Sequence, residues 1–337
     1  CPHKCIFCVG RKMVGARVRY RSAGKIVDEM EYLNSLNFHQ INIADDLFTA
    51  NKNHCTAVCD EIIKRGLQLK WTSFARVDTV SDAVLVKMKA AGCSAVSFGI
   101  ESADPQILKT IKKGITLKQV EDAVAMCRRA GIMPFASFIL GLPGETPQTI
   151  KETMEFGNRL KKQGLSFGFH LLAPFPGTEV RENSERYGIK ILTDDWSQYH
   201  ANRAIVETPS VDHRTLDEIV VKWEQEYDDY LADIKVRMAE NKASREEIWE
   251  IQNLERIVLL YDLMMKNVIE QKGFWSHEGR PVSLQDNLKI LTERISPSVD
   301  TGPEMLFDAL HHALQQGNLK CTDLNGNIRW QWVDFLN

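Results

Sequence analysis

The chain has 337 residues, 44% hydrophobic and 26% charged, with a net charge of −3. That supplies a full-sized core, with room for two domains or for one α/β barrel with an appendage, and it excludes the strongly basic balance of a protein built around nucleic acid or an anionic membrane. No run of about 18 apolar residues and no charged-then-apolar start marks a membrane span or an export signal, so the expected compartment is the cytoplasm.

The chain opens on Cys1-Pro-His-Lys-Cys5-Ile-Phe-Cys8. Eight cysteines, three of them in these eight residues, are too few and too uneven for a disulfide framework and point to a metal site in a reducing compartment. Three thiolates so spaced can hold three irons of a four-iron cluster and leave the fourth open to bind a substrate. A zinc knuckle or a redox pair are the alternatives; zinc normally closes with four ligands, and His3 is the only nearby candidate for the fourth. The first residue is Cys rather than Met, and in a βα repeat such a loop follows a strand. The reading therefore expects a piece of a longer chain that lacks its opening strand.

From residue 26 to residue 173 helical and strand-like patterns alternate. Apolar side chains at three- and four-residue intervals predict helices over Ile26–Asn37, His54–Arg65, Ser81–Ala91, Leu117–Ala130 and Thr146–Gln163. Short apolar runs between them predict strands over Gln40–Ala44, Leu69–Phe74, Ala95–Ile100, Pro134–Leu140 and Ser166–Ala173. Helix, glycine, short buried strand, repeated, is the pattern of parallel βα units. The predicted fold is α/β: a partial (β/α) TIM-like barrel over residues 1–178, then an irregular connecting segment over 179–213. A mainly helical extension over 214–337 follows, with helices at Arg214–Ala239, Arg245–Gln271, Leu284–Ile295 and Glu304–Gln316. A hairpin of Leu319–Asp323 and Ile328–Val333 about Asn325-Gly326 ends it.

Cys55 and Cys59, one helical turn apart, read as half-buried filler or as two ligands without a nearby third. His311-His312 diverge on a helix and cannot share an ion. His170, on the last strand, is a candidate substrate contact against the packing role that most barrel-interior positions have. The helices and hairpin near the C-terminus invite a winged-helix, nucleic-acid reading. Residues 273–337 carry five Lys or Arg and eight Asp or Glu, which counts against a phosphate-binding face.

The cysteine spacing with Phe7 before Cys8 resembles the radical S-adenosylmethionine superfamily. The later stretches Ile43-Ala-Asp45-Asp46-Leu-Phe48-Thr, Trp71-Thr-Ser-Phe-Ala-Arg76-Val-Asp78, Phe98-Gly-Ile-Glu101-Ser, Phe138-Ile-Leu-Gly141-Leu-Pro-Gly144-Glu145-Thr and Pro174-Phe-Pro-Gly177-Thr are similar to its cobalamin-binding branch, in that family's order. The resemblance covers residues 1 to about 210 and places each motif at the C-terminal end of a predicted strand, the rim where α/β barrels build active sites.

It implies a [4Fe-4S] cluster on Cys1, Cys5 and Cys8, with S-adenosylmethionine chelating the open iron through its amino and carboxylate groups. Asp45 and Asp46 stand where the family usually reads Gly-Gly-Glu and helps hold the amino group; a carboxylate facing an ammonium keeps that role sensible. Arg76 is implied for the methionyl carboxylate, against a salt bridge with Asp78 or Glu101. Glu101 is implied for the ribose hydroxyls or the amino group. Ile139, Leu140 and Gly141 would let adenine approach the strand, with Phe7 flanking it or simply packing in the core. The implied activity is reductive cleavage of S-adenosylmethionine to start radical chemistry on an organic substrate, with methyl transfer to carbon leading and cobalamin supplied by a separate domain. Ring closure or rearrangement, methylthiolation or RNA modification, and a non-enzymatic iron–sulfur electron carrier are the alternatives. The implied partners are a small-molecule or lipid-like substrate and an electron donor such as a ferredoxin or flavodoxin, with no nucleic acid.

Overall fold

The computed structural model describes residues 1–36, 38, 40–276, 283–324 and 326–333. They divide into two compact units, Cys1–Glu224 and Gln225–Asn337, so the segment 179–213 belongs to the first and the division falls inside one long helix.

In the first unit, short helices α1 (Gly10–Val14) and α2 (Ala23–Ser35) precede β1 (Gln40–Ile43). Then come α3 (Lys52–Lys64), β2 (Lys70–Ala75), α4 (Asp82–Ala90), β3 (Cys93–Glu101), α5 (Pro105–Thr110), α6 (Leu117–Ala130), β4 (Met133–Leu140), α7 (Pro147–Lys161) and β5 (Ser166–Leu171). The five strands form one parallel sheet in the order β1-β2-β3-β4-β5, the singly wound order of a partial (β/α) barrel. All five predicted strands are present within a residue or two of the expected bounds. Gly10–Val14 and Pro105–Thr110 are helices the periodicity did not reveal, because five or six residues are too short to display a helical repeat.

The strands alternate in burial. Trp71, Val96, Phe98, Ala136 and Phe138 point to the helix-covered side and, with Val58, Ile62, Leu85, Met88, Val120 and Val124, make the main core. Thr72, Ser97, Gly99, Ser137, Ile139, Gly168 and His170 occupy the alternate positions on the other face. That face also carries Phe74 and Phe135, partly exposed, beside Ile139 and its small and polar residues, so it is left open to form a site. Beyond β5, α8 (Glu179–Glu182) and the two-residue strands β6 (Lys190–Ile191) and β7 (Val206–Glu207) lead into α9 (His213–Ala239).

In the second unit α10 spans Arg245–Met265. The single helix expected to run to Gln271 breaks after Met265: Asn267 adopts a left-handed φ of 51°, and α11 (Val268–Lys272) restarts beyond it. Strand β8 (Phe274–Ser276), α12 (Leu284–Ile295), α13 (Pro303–Gln315), β9 (Leu319–Leu324) and β10 (Asn327–Trp332) follow, the three strands pairing antiparallel in the order β8-β10-β9. The predicted hairpin is present; Asn325, in its turn, lies outside the described residues. Leu288, Leu291, Leu306, Leu310 and Trp330 form this unit's own core. The helix–helix–hairpin order is that of a winged helix, yet α13 carries Glu304 and Asp308 and no Lys or Arg. None of the described helices is long and apolar enough to cross a membrane.

Candidate active site

The cysteine loop is fixed through its middle residue. Ile6 is fully buried, its N–H donates to the Ile111 carbonyl (3.1 Å), and its carbonyl accepts from the Val180 N–H (3.0 Å). One buried aliphatic side chain and two backbone bonds thus hold the loop between the turn after α5 and the start of α8. Cys1 and Cys5 are left half-buried and Cys8 exposed, all as free thiols. The Lys112 ammonium bridges both carboxylate oxygens of Glu179 (2.6 and 2.7 Å), joining the two elements that grip the loop.

Cys5 donates weakly to the Lys112 carbonyl (3.8 Å). Burial pushes its thiol pKa up, and the nearby cations Lys113 and Arg76 pull against that. Cys8 Sγ and Asp46 Oδ2 both lie beside Gly10, 3.5 and 3.3 Å from where a Cβ would stand. The Cys1 amino group reaches Asp46 at 4.0 Å. Cys1 and Cys8 are therefore placed by Asp46, a strand-end residue of the predicted set, and Cys5 by the turn after α5. Among the described residues no three His, Cys, Asp or Glu side chains converge on a single metal ion. The donor set, three thiols and no fourth in the loop, suits a four-iron cluster in which three irons each take one protein thiolate and the fourth takes none.

Glu101 ends β3 at a register irregularity beside Gly99 and holds a φ of 73°, unusual for a residue with a side chain. Its carboxylate is buried and meets the Lys113 ammonium at 2.6 Å. Gly99 makes that pair possible, since a Cβ there would stand 2.3 Å from Glu101 Oε1 and 2.9 Å from Lys113 Nζ. Lys113 was not singled out in the sequence. Its position follows from α5: Asp104 caps that helix by accepting from the Ile107 N–H (2.8 Å), and Lys112 takes a left-handed φ of 55°. The Lys113 N–H then closes back on the Leu108 carbonyl (3.0 Å). The available signal was Asp104-Pro105 as a helix start and Lys113-Gly114 as its end.

Arg76 pairs with Asp78, the salt-bridge alternative weighed in the sequence, rather than with Glu101. Nε and Nη2 bind the two carboxylate oxygens at 2.9 and 3.0 Å, and Nη2 also donates to the Lys113 carbonyl at 2.8 Å. Burial pushes the Asp78 pKa upward, but the Arg76 hydrogen bonds overcome it and hold the carboxyl below its ordinary value. In this arrangement the guanidinium braces the loop that presents Lys113.

Two clefts open along the strand ends. One, about 310 Å³, is lined by Phe7, Glu101, Ser137, Ile139, His170, Leu172 and Phe175 among others. A second, about 270 Å³, is lined by Cys1, Asp45, Asp46, Arg17, Arg19 and His54 among others. Leu140 faces away from the first cleft, fully buried with Leu171 and Leu216. Gly141, at φ 84°, lies under Leu216 and Val206, and its N–H and that of Leu142 donate to Glu145 Oε2 (2.6 and 3.1 Å). Of the predicted adenine-side residues, Phe7 and Ile139 line the 310 Å³ cleft, whereas Leu140 and Gly141 bear on packing and on the turn after β4.

The remaining core cysteines are packing groups. Cys55, Cys59, Cys93 and Cys127 are all buried. The hydrogen bond that the Cys55 thiol makes to Cys59, with burial, pushes the Cys55 thiol up, and burial does the same to Cys93 and Cys127, so these three favour the neutral thiol.

Residues 1–157 match the family model described as the Radical SAM superfamily. That match takes in the cysteine loop and the strands β1 to β4. Among the chain's relatives is an uncharacterized methyltransferase of Pyrococcus horikoshii, 36% identical over 201 residues, which are 59% of this chain and 43% of that protein. The anaerobic magnesium-protoporphyrin IX monomethyl ester cyclase of Rubrivivax gelatinosus is 28% identical over 221 residues, 64% of this chain and 38% of that one. The matched stretches thus span less than half of either relative. Among solved structures, the cobalamin-dependent S-adenosylmethionine radical enzyme OxsB, with aqua-cobalamin and S-adenosylmethionine bound, superposes with a TM-score of 0.57 at 16% identity. That superposition covers 96% of this chain and 55% of OxsB and shows a common fold.

Proposed function

We propose that the protein is a radical S-adenosylmethionine enzyme that methylates a carbon of a small organic substrate with the help of cobalamin. The carrying observation is the clamped loop of Cys1, Cys5 and Cys8 beside the buried Glu101–Lys113 pair and a cleft of about 310 Å³. Cys1, Cys5 and Cys8 would hold three irons of a [4Fe-4S] cluster, which with bound S-adenosylmethionine supplies one-electron cleavage to start radical chemistry. Asp45 and Asp46 offer carboxylates near Cys1 for an ammonium, and Phe7 and Ile139 offer apolar flanks for a base. Glu101, held by Lys113 at the edge of the cleft, would accept from a ligand hydroxyl or ammonium through its other carboxylate oxygen. His170 and Ser137 would meet the polar part of the substrate, with Leu172 and Phe175 against its apolar part. No residue of this chain is assigned to cobalamin.

The methyltransferase relative supports methyl transfer. The cyclase relative favours radical ring closure as the second reading. An electron donor such as a ferredoxin or flavodoxin would reduce the cluster. The test is anaerobic reconstitution with iron and sulfide, followed by reductant and S-adenosylmethionine. About four irons per chain and release of 5′-deoxyadenosine or S-adenosylhomocysteine are expected. A reconstituted protein that leaves S-adenosylmethionine intact would sink the reading.

A further inference from the structure

Helix α10 carries two apolar faces. Leu259 and Leu263 are buried in the core of the second unit. Leu254, Ile257, Val258, Tyr261, Met264 and Met265 recur at three- and four-residue intervals and so share a separate stripe, about 120° wide at 100° per residue. They are 38%, 56%, 60%, 61%, 50% and 64% exposed, respectively. The charged residues within that span are turned off the stripe into their own ion pairs: Glu255 with Lys235, Arg256 with Asp308 and Asp262 with Lys266. Beside the stripe a groove of about 470 Å³ opens between α10 and residues 298–302, with the apolar Leu254, Val258 and Met305 and the charged Asp262, Lys266 and Asp300 on its wall. A helix that only seals its own core needs one apolar face.

We propose that this stripe is a self-association surface, on which a second copy of the chain docks α10 against α10, antiparallel about a two-fold axis near Val258. Area is the first argument. The six exposed side chains present about 600 Å² of contiguous apolar surface, and two copies would bury about 1,200 Å², the size at which specific interfaces begin. Shape is the second. The stripe supplies projecting side chains, Tyr261 and Met265, and the groove beside Leu254 and Val258 supplies the recess, so one patch contains both halves of an isologous contact.

Charge decides the direction. The N-terminal end of α10 bears Arg245, Glu246, Glu247 and Glu250, with Glu247 held by Arg237, and Lys266, paired with Asp262, follows its C-terminal end. Antiparallel packing sets the acidic end of each copy against the Lys266 end of the other and opposes the helix dipoles, whereas parallel packing would align the dipoles and stack Glu246 and Glu250 on their like. The same acidity disfavours an anionic lipid surface as the occupant.

Sedimentation velocity on the full chain tests this without reference to catalysis. Wild type should sediment as a dimer. Val258→Glu and Tyr261→Glu should each weaken dimerisation about a hundredfold, with far-UV circular dichroism unchanged because both side chains are exposed in the single copy, and with the melting temperature losing its dependence on protein concentration. Leu259→Ala, on the buried face, should lower the melting temperature and leave a dimer. A wild-type monomer at the highest soluble concentration, or a dimer that survives both glutamate variants, overturns the proposal.

Discussion

Glu145 should make the stability of the first unit fall as pH rises through neutrality. Its side chain is 1% exposed. Oε2 accepts from the N–H groups of Gly141 and Leu142, while Oε1 has no partner among the described residues. Burial, working against those two N–H groups, pushes its pKa up to about 8 from the ordinary 4.5. Between those values the folded state keeps a proton that the unfolded chain has released, so stability declines as pH climbs across the window and levels off above it. The gap corresponds to at most about 5 kcal/mol. Relaxation of the turn around the new charge should reduce this to about 2 kcal/mol, since buried sites respond as if more polar than a dry interior. Glu145→Gln has the shape of the neutral acid and keeps a carbonyl oxygen for Gly141 and Leu142. Urea unfolding from pH 5.5 to 8.5, followed by circular dichroism and tryptophan fluorescence, should show the wild type losing about 2 kcal/mol relative to the variant. Parallel pH profiles for the two proteins would refute the reasoning.

Three further outcomes follow from the site. Gly99→Ala should push apart the Glu101–Lys113 pair, costing about 1–2 kcal/mol and weakening S-adenosylmethionine binding in equilibrium dialysis; unchanged affinity would show that the pair does not face the ligand. Lys113→Met should destabilise by about 3 kcal/mol by leaving Glu101 buried without its cation, and adding Glu101→Gln should recover most of that in a double-mutant cycle. Cys8→Ser, at an exposed position away from the Ile6 anchor, should leave the melting temperature of the unloaded protein unchanged while iron retained after reconstitution falls; a full iron complement would remove Cys8 from the ligand set.

The sequence by itself determined the βα repeat, the five parallel strands and the cysteine loop. Each rests on local information: the alternation of period and glycine punctuation writes strand and helix directly, and Cys1, Cys5 and Cys8 lie within one loop. It also carried both candidate partners of Arg76, Asp78 and Glu101, but not the choice between them. Only the tertiary structure decided that Asp78 takes the guanidinium and that Lys113, twelve residues beyond Glu101, takes the buried carboxylate. That choice depends on the cap at Asp104, the left-handed turn at Lys112 and the missing side chain at Gly99, which act together only once the chain is folded. Likewise the apolar residues of α10 read only as part of one long helix from Arg245 to Gln271, because periodicity reports that a face is apolar and not what covers it. The break at Asn267 and the exposure of the stripe from Leu254 to Met265 appear only when the second unit's core is assembled and found to use the other face.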